Sequence, residues 1–99
     1  MTKKLTIAID FDDTYTADTE LWGLFLRKAI ANGHSVFCVT CRREDEENRQ
    51  IIDEAFEDEF LSVPVVFCNM GSKVWTMEQL GIKVDIWIDD APHALVHGR

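Results

Sequence analysis

The chain has 99 residues, 46% of them hydrophobic and 28% charged, with a formal net charge of −8. That length predicts one domain, 1–99, whose composition is that of a globular protein in water. The negative balance argues against a nucleic-acid backbone as partner, because such binding needs a basic footprint.

The chain opens MTKKLTIAID, where the run 5–9 is too short for a secretory core before it meets Asp10. No stretch approaches a membrane span, so no membrane partner is expected and a cytoplasmic location is. Residues 5–9 form the first of four nearly continuous apolar runs; the others are 35–39, 63–67 and 84–88. Runs of this kind predict strands covered on both faces of a parallel sheet. After the first, Asp18 and Thr19 are candidate N-caps for a helix carrying Trp22, Phe25, Leu26, Ala29 and Ile30 on one face, stopped by Asn32-Gly33. The second run contains Cys38 and is followed by Cys41; this CxxC pair, like Cys68, reads as small buried hydrophobes. A second helix over 43–60 presents Ile51, Ile52, Ala55, Phe56 and Phe60. Its acidic opening, REDEEN, suits a helix N-terminus and reads as a solvated face. A third helix starts near Gly71-Ser72, uses Val74, Met77 and Leu80, and ends at Gly81. His93 and His97 stand four apart on a short terminal helix, without a third residue to make them a metal site. With right-handed crossovers, the order β-α-β-α-β-α-β predicts a three-layer α/β/α sandwich around a mainly parallel, four-stranded Rossmann-like sheet.

In open α/β sheets, ligands bind beyond the carboxyl ends of the strands. The first run leads into IAIDFDDTYTAD, which gathers Asp10, Asp12, Asp13 and Asp18. Crowded carboxylates are unfavourable unless a cation or proton relieves them, so the stretch is either a metal site or a solvated turn. The second run delivers Thr40, Cys41 and Arg42; the third ends at Cys68-Asn69, with Lys73 a short turn later; the fourth delivers Asp89 and Asp90. A carboxylate nucleophile, a hydroxyl, an ammonium and a carboxylate pair therefore converge on one edge.

In these residues, and along nearly its whole length, the chain resembles the haloacid dehalogenase (HAD) superfamily of phosphotransferases. The family's D-x-D-x-T motif reads Asp10-Phe11-Asp12-Asp13-Thr14, and its later motifs are matched by Thr40 in VFCVTCR, Lys73 in GSKVW, and IWIDD. The resemblance implies a magnesium-dependent phosphomonoester hydrolase. In it, Asp10 attacks phosphorus to form an aspartyl-phosphate, and Asp12 protonates the leaving oxygen and then activates water. Mg2+ is implied on Asp10, the backbone carbonyl of Asp12 and Asp89, with Asp90 supporting the metal through water or orienting Lys73. Thr40 and Lys73 are implied to hold phosphoryl oxygens, and Asp12 marks a phosphatase rather than a dehalogenase. From their place at the mouth, Arg42 and Arg43 are candidates for a further phosphate contact. Thr14 is expected to brace the turn, Asp13 to be solvated and Asp18 to cap the helix.

Members of that family usually insert a cap domain after the first motif or the third strand. Both gaps are short here, so no cap domain and an open site are expected, and no fifth strand is expected in the APHALVHGR segment after IWIDD. Leu21, Leu24 and Trp75 fall off the apolar faces and offer a surface for a homo-oligomer that covers the site. The expected partner is a small phosphorylated substrate, a nucleotide or sugar phosphate. The alternative is a catalytically idle domain of the same fold that binds phosphate or protein. A phosphoacceptor receiver domain is ruled out by chain order, since the third strand ends in Cys68-Asn69 and Thr40 precedes Lys73.

Overall fold

Each of the four apolar runs becomes a strand, and three of them are shorter than the sequence pattern suggests. The computed structural model describes residues 3–98. The strands are β1 (Thr6–Ile9), β2 (Ser35–Thr40), β3 (Val65–Phe67) and β4 (Ile86–Ile88). β3 starts only after Pro64, which has no N–H to give to a ladder. At the foot of β4 the Asp85 carboxylate takes the Thr6 N–H at 2.8 Å, while the Asp85 N–H reaches the Thr6 carbonyl at 2.9 Å. A side chain thus extends the pairing one residue below the regular ladder.

The sheet order is β3-β2-β1-β4, and every neighbouring pair is parallel. Helices α1 (Thr19–Ala31), α2 (Glu46–Glu57) and α3 (Lys73–Gln79) make the crossovers; α4 (Pro92–His97) follows β4 and packs on α3. Strand alternation sorts the side chains into two layers. Ile7, Ile9, Val36, Cys38 and Phe67 face Leu26 and Ala29 of α1 and Ile52 and Phe56 of α2. Ala8, Val39 and Cys68 face Met77 of α3, with Phe37, Val66 and Trp87 beside them. The result is a three-layer α/β/α sandwich. The chain steps from β1 to β2 to β3 in one direction and then places β4 on the other side of β1. That reversal opens a crevice at the carboxyl ends of β1 and β4, the place where such sheets bind ligands.

The links to the site are short. A single 3-10 turn, Tyr15–Ala17, lies between β1 and α1, and only residues 68–72 separate β3 from α3. Asp18 caps α1 by accepting the Leu21 N–H at 3.0 Å, as expected. Among the described residues no helix is long and apolar enough to cross a membrane.

The helix faces are narrower than their periodicity implies. Leu26, Ala29, Ile52, Phe56 and Met77 are buried, but Phe25, Ile30, Ile51 and Leu80 are exposed. With β3 and β4 only three residues long, the sheet gives each helix a thin stripe to cover. Leu21, Leu24 and Trp75 are exposed as anticipated. Phe60 departs most from expectation, at 90% exposed. Helix α2 stops before it, with the Phe60 N–H bonding to the Glu57 carbonyl at 2.9 Å and the Leu61 N–H to the Phe56 carbonyl at 2.9 Å. That is a Schellman turn, and it puts Phe60 in the left-handed position at φ 60° while Leu61 takes the core site.

A left-handed conformation costs a residue with a Cβ about 1–2 kcal/mol. Phe60→Gly is therefore expected to raise the unfolding free energy by about 1 kcal/mol in urea denaturation.

Candidate active site

Parallel strands all end on the same side of the sheet, so their terminal polar residues meet there. Asp10 follows β1 directly, and its N–H donates to the Ile88 carbonyl of β4 at 2.9 Å. This bond seats the Asp10 carboxylate, 5% exposed, beside the end of β4. Lys73 begins α3, whose N-cap Ser72 accepts the Trp75 N–H at 3.1 Å and donates to the Leu95 carbonyl of α4 at 3.0 Å. Its side chain is 0% exposed and its Nζ lies 2.6 Å from Asp10 Oδ1 and 2.6 Å from Asp89 Oδ2. Asp89 in turn accepts the Ala91 N–H on Oδ1 at 2.8 Å.

Asp90 completes the cluster. One carboxylate oxygen from each of Asp10, Asp89 and Asp90 can be chosen so that all lie within 4.8 Å of one another. Thr14 ties them together: its Oγ1 accepts the Asp90 N–H at 3.0 Å. The same hydroxyl lies 2.8 Å from Asp90 Oδ1 and 3.1 Å from Asp10 Oδ2, so its one proton serves either carboxylate. The expectation that Thr14 merely braces its turn understates it. Three carboxylates and one ammonium leave a formal charge of −2 in a partly buried space. An all-oxygen donor set with that deficit is suited to a hard divalent cation such as magnesium.

The electrostatics agree. Burial pushes the Asp10 carboxyl above its ordinary range, against the pull of the Lys73 hydrogen bond and charge. Burial also pulls the Lys73 ammonium down, but the hydrogen bonds and charges of Asp10 and Asp89 outweigh it and hold Lys73 above the usual lysine value. At neutral pH an ionised Asp10 therefore works against folding, and Lys73 offsets it.

Asp12 stands apart from the three clustered carboxylates. It accepts both side-on donors of the Arg42 fork, Nε at 3.0 Å and Nη2 at 2.9 Å. Arg42 also donates through Nη1 to Asn48 Oδ1 at 2.9 Å, and its guanidinium lies over the Phe11 ring at 5.4 Å. Thr40, 0% exposed, ends β2, and its Oγ1 accepts the Arg42 N–H at 3.2 Å. Asp10, Lys73, Asp89 and Asp90 are thus in direct mutual reach, while Asp12, Arg42 and Thr40 form an adjoining group. A cleft of about 310 Å³ opens beside Asp89 and Asp90, bounded also by Asp13, Thr14, Ala17, Trp22 and Ile88.

No family model, curated protein or solved structure matches this chain.

The remaining candidates take structural places. Asp13 is exposed in a left-handed turn at φ 63°, a conformation Asp tolerates. Cys38, Cys41 and Cys68 are buried and form no disulfide. Burial drives the Cys38 thiol far upward, which leaves it unreactive. The His93 and His97 rings lie 4.4 Å apart on α4, tilted by 34°, and are not members of the carboxylate cluster. Asn48 had no signal of its own, since it sits in an acidic run six residues beyond Arg42.

Lys73→Met leaves two buried carboxylates without their counter-ion and is expected to cost about 3–5 kcal/mol of stability. Because the folded-state pKa of Lys73 is raised, its contribution is complete below the unfolded value of about 10.4 and drains away above it. Denaturation of both proteins from pH 7 to 11 should show this part of the alkaline loss in wild type and not in the variant.

Proposed function

We propose that residues 1–99 act as one catalytic core, a magnesium-dependent phosphomonoester hydrolase of the kind the sequence motifs resemble. The observation that carries this proposal is the convergence of Asp10, Lys73, Asp89 and Asp90 at the crevice between β1 and β4. A structural ion pair would need one carboxylate for its lysine; this arrangement keeps two more and has a net deficit of positive charge.

Asp10 is assigned the nucleophile. Its carboxylate attacks phosphorus as the alkoxide leaves, giving an aspartyl-phosphate that water then cleaves to inorganic phosphate and the restored carboxylate. Asp12 lies two residues on, outside the cluster and paired with Arg42 as a carboxylate. It is assigned the base that takes a proton from the water cleaving the aspartyl-phosphate, and that proton then serves the next leaving oxygen. Lys73 holds Asp10 in place and, with Thr40, faces the transferring phosphoryl oxygens. Asp10, Asp89 and Asp90, with the backbone carbonyl of Asp12, are the proposed magnesium ligands. The bound ion supplies neutralising charge for the carboxylates and for the phosphoryl oxygens. Since the 3-10 turn and residues 68–72 are short links, the mouth is open on this chain, and a small phosphorylated substrate has direct access.

Hydrolysis of an aryl phosphate by wild type and Asp10→Asn tests the proposal. Asn keeps the shape and removes the nucleophile, so turnover that needs magnesium in wild type is expected to fall by about 1,000-fold or more. Equal rates in the two proteins, or no effect of magnesium, would favour a binding module on the same fold.

A further inference from the structure

The acidic opening of α2 does more than the solvated face expected of it. Asp45, the N-cap, accepts the Asn48 N–H on Oδ1 at 2.7 Å. The Asn48 amide nitrogen then donates to Asp45 Oδ2 at 3.2 Å and to the Arg43 carbonyl at 2.9 Å. With its nitrogen so anchored, the Asn48 oxygen has one orientation left, toward Arg42 Nη1 at 2.9 Å. Arg42 is fixed a second time by Phe11, a buried ring packed against the Tyr15–Phe56 pair at 6.1 and 6.2 Å. The far side of the guanidinium carries Asp12 on two parallel hydrogen bonds. A loop carboxylate is thereby aimed through Arg42, thirty residues away in sequence, from the first turn of α2.

We propose that Asn48 and Arg42 are positioning residues that orient Asp12 for proton transfer in the hydrolysis proposed above, on which this inference rests. Arg42 accordingly acts through Asp12, and the substrate phosphate is not its partner. A planar fork held at three donors and stacked on a ring is rigid, and rigidity of a supporting residue is what keeps a reacting group in productive geometry. Lys at this position has neither the fork nor the plane.

Steady-state kinetics with an aryl phosphate and magnesium separate the two roles of Arg42. The proteins are wild type, Arg42→Gln, Asn48→Leu, Asn48→Asp and the double variant Arg42→Gln/Asn48→Leu, with Asn48→Ala in place of Asn48→Leu if thermal unfolding shows the larger side chain is not tolerated. Arg42→Gln and Asn48→Leu are expected to lower kcat by about 10- to 100-fold with little change in KM. The double variant should be no worse than Arg42→Gln, because both break one chain. Asn48→Asp keeps an oxygen for Arg42 but loses both donations that anchor it and faces the Asp45 carboxylate, so it too should lower kcat. A raised KM at constant kcat in Arg42→Gln, multiplying losses in the double variant, or wild-type kcat in Asn48→Leu would each overturn the relay. Nitrogen-correlated NMR gives a readout without turnover: the Arg42 Nε–H resonance should move in both Asp12→Asn and Asn48→Leu, and a resonance unmoved by Asn48→Leu would contradict the coupling. An inactive wild type would refute the hydrolysis and with it this role, whereas an active wild type with independent variants would refute the relay alone.

Discussion

The site is organised around one buried ammonium. Lys73 has no exposure to solvent and reaches two carboxylates, Asp10 and Asp89, at 2.6 Å each. Burial works against charge on both Lys73 and Asp10, and the hydrogen bond and attraction between them oppose it. Asp89 gives the ammonium its second carboxylate partner. The three groups also join three parts of the chain that are remote in sequence: the end of β1, the start of α3 and the end of β4. Asp90 and Thr14 extend the same set, and the surplus of negative charge that results is the feature a cation would relieve.

Topology supplies the meeting place. Parallel pairing throughout the sheet directs all four strand ends to one edge, and the reversal between β2 and β4 around β1 leaves a gap in the helical cover there. The bond from the Asp10 N–H to the Ile88 carbonyl continues the β1–β4 ladder up to the Asp10 carboxylate, so the site inherits the stiffness of the sheet. The loops on the other side are stitched in the same manner. The Met70 N–H bonds to the Cys41 carbonyl at 2.7 Å and the Asn69 N–H to the Arg42 carbonyl at 3.2 Å, which holds the β3–α3 link against the β2–α2 link. Asn69 and Met70 both adopt positive φ, 50° and 68°, to make those bonds. Strained backbone beside a cluster of functional groups is where a fold spends stability on geometry.

What could be read from the residues follows from how local each signal is. The strands and the order of elements were visible because both-face burial leaves nearly unbroken apolar runs, and Asp10, Lys73, Asp89 and Asp90 stood out because each follows a run or opens the next helix. The edges of helix faces were not visible. Phe25, Ile30 and Leu80 have the right period for burial, but how much sheet lies beneath them is set by the lengths of β3 and β4. Phe60 was misplaced because periodicity carries no information on where a Schellman turn ends the helix and hands the core position to Leu61. Asn48 was hidden for a different reason: its significance lies in side-chain bonds to Arg42 and Asp45, and an acidic helix start is ordinary without them.

The central claim is that the carboxylate cluster around Lys73 is built for a divalent cation. The most direct measurement is calorimetric titration of magnesium into wild type and into Asp89→Asn at neutral pH, without substrate. The account predicts one magnesium site in wild type, weakened by about 10-fold or more when the Asp89 charge is removed, since the variant loses a ligand. Absence of magnesium binding to wild type, or equal binding to both proteins, would contradict it.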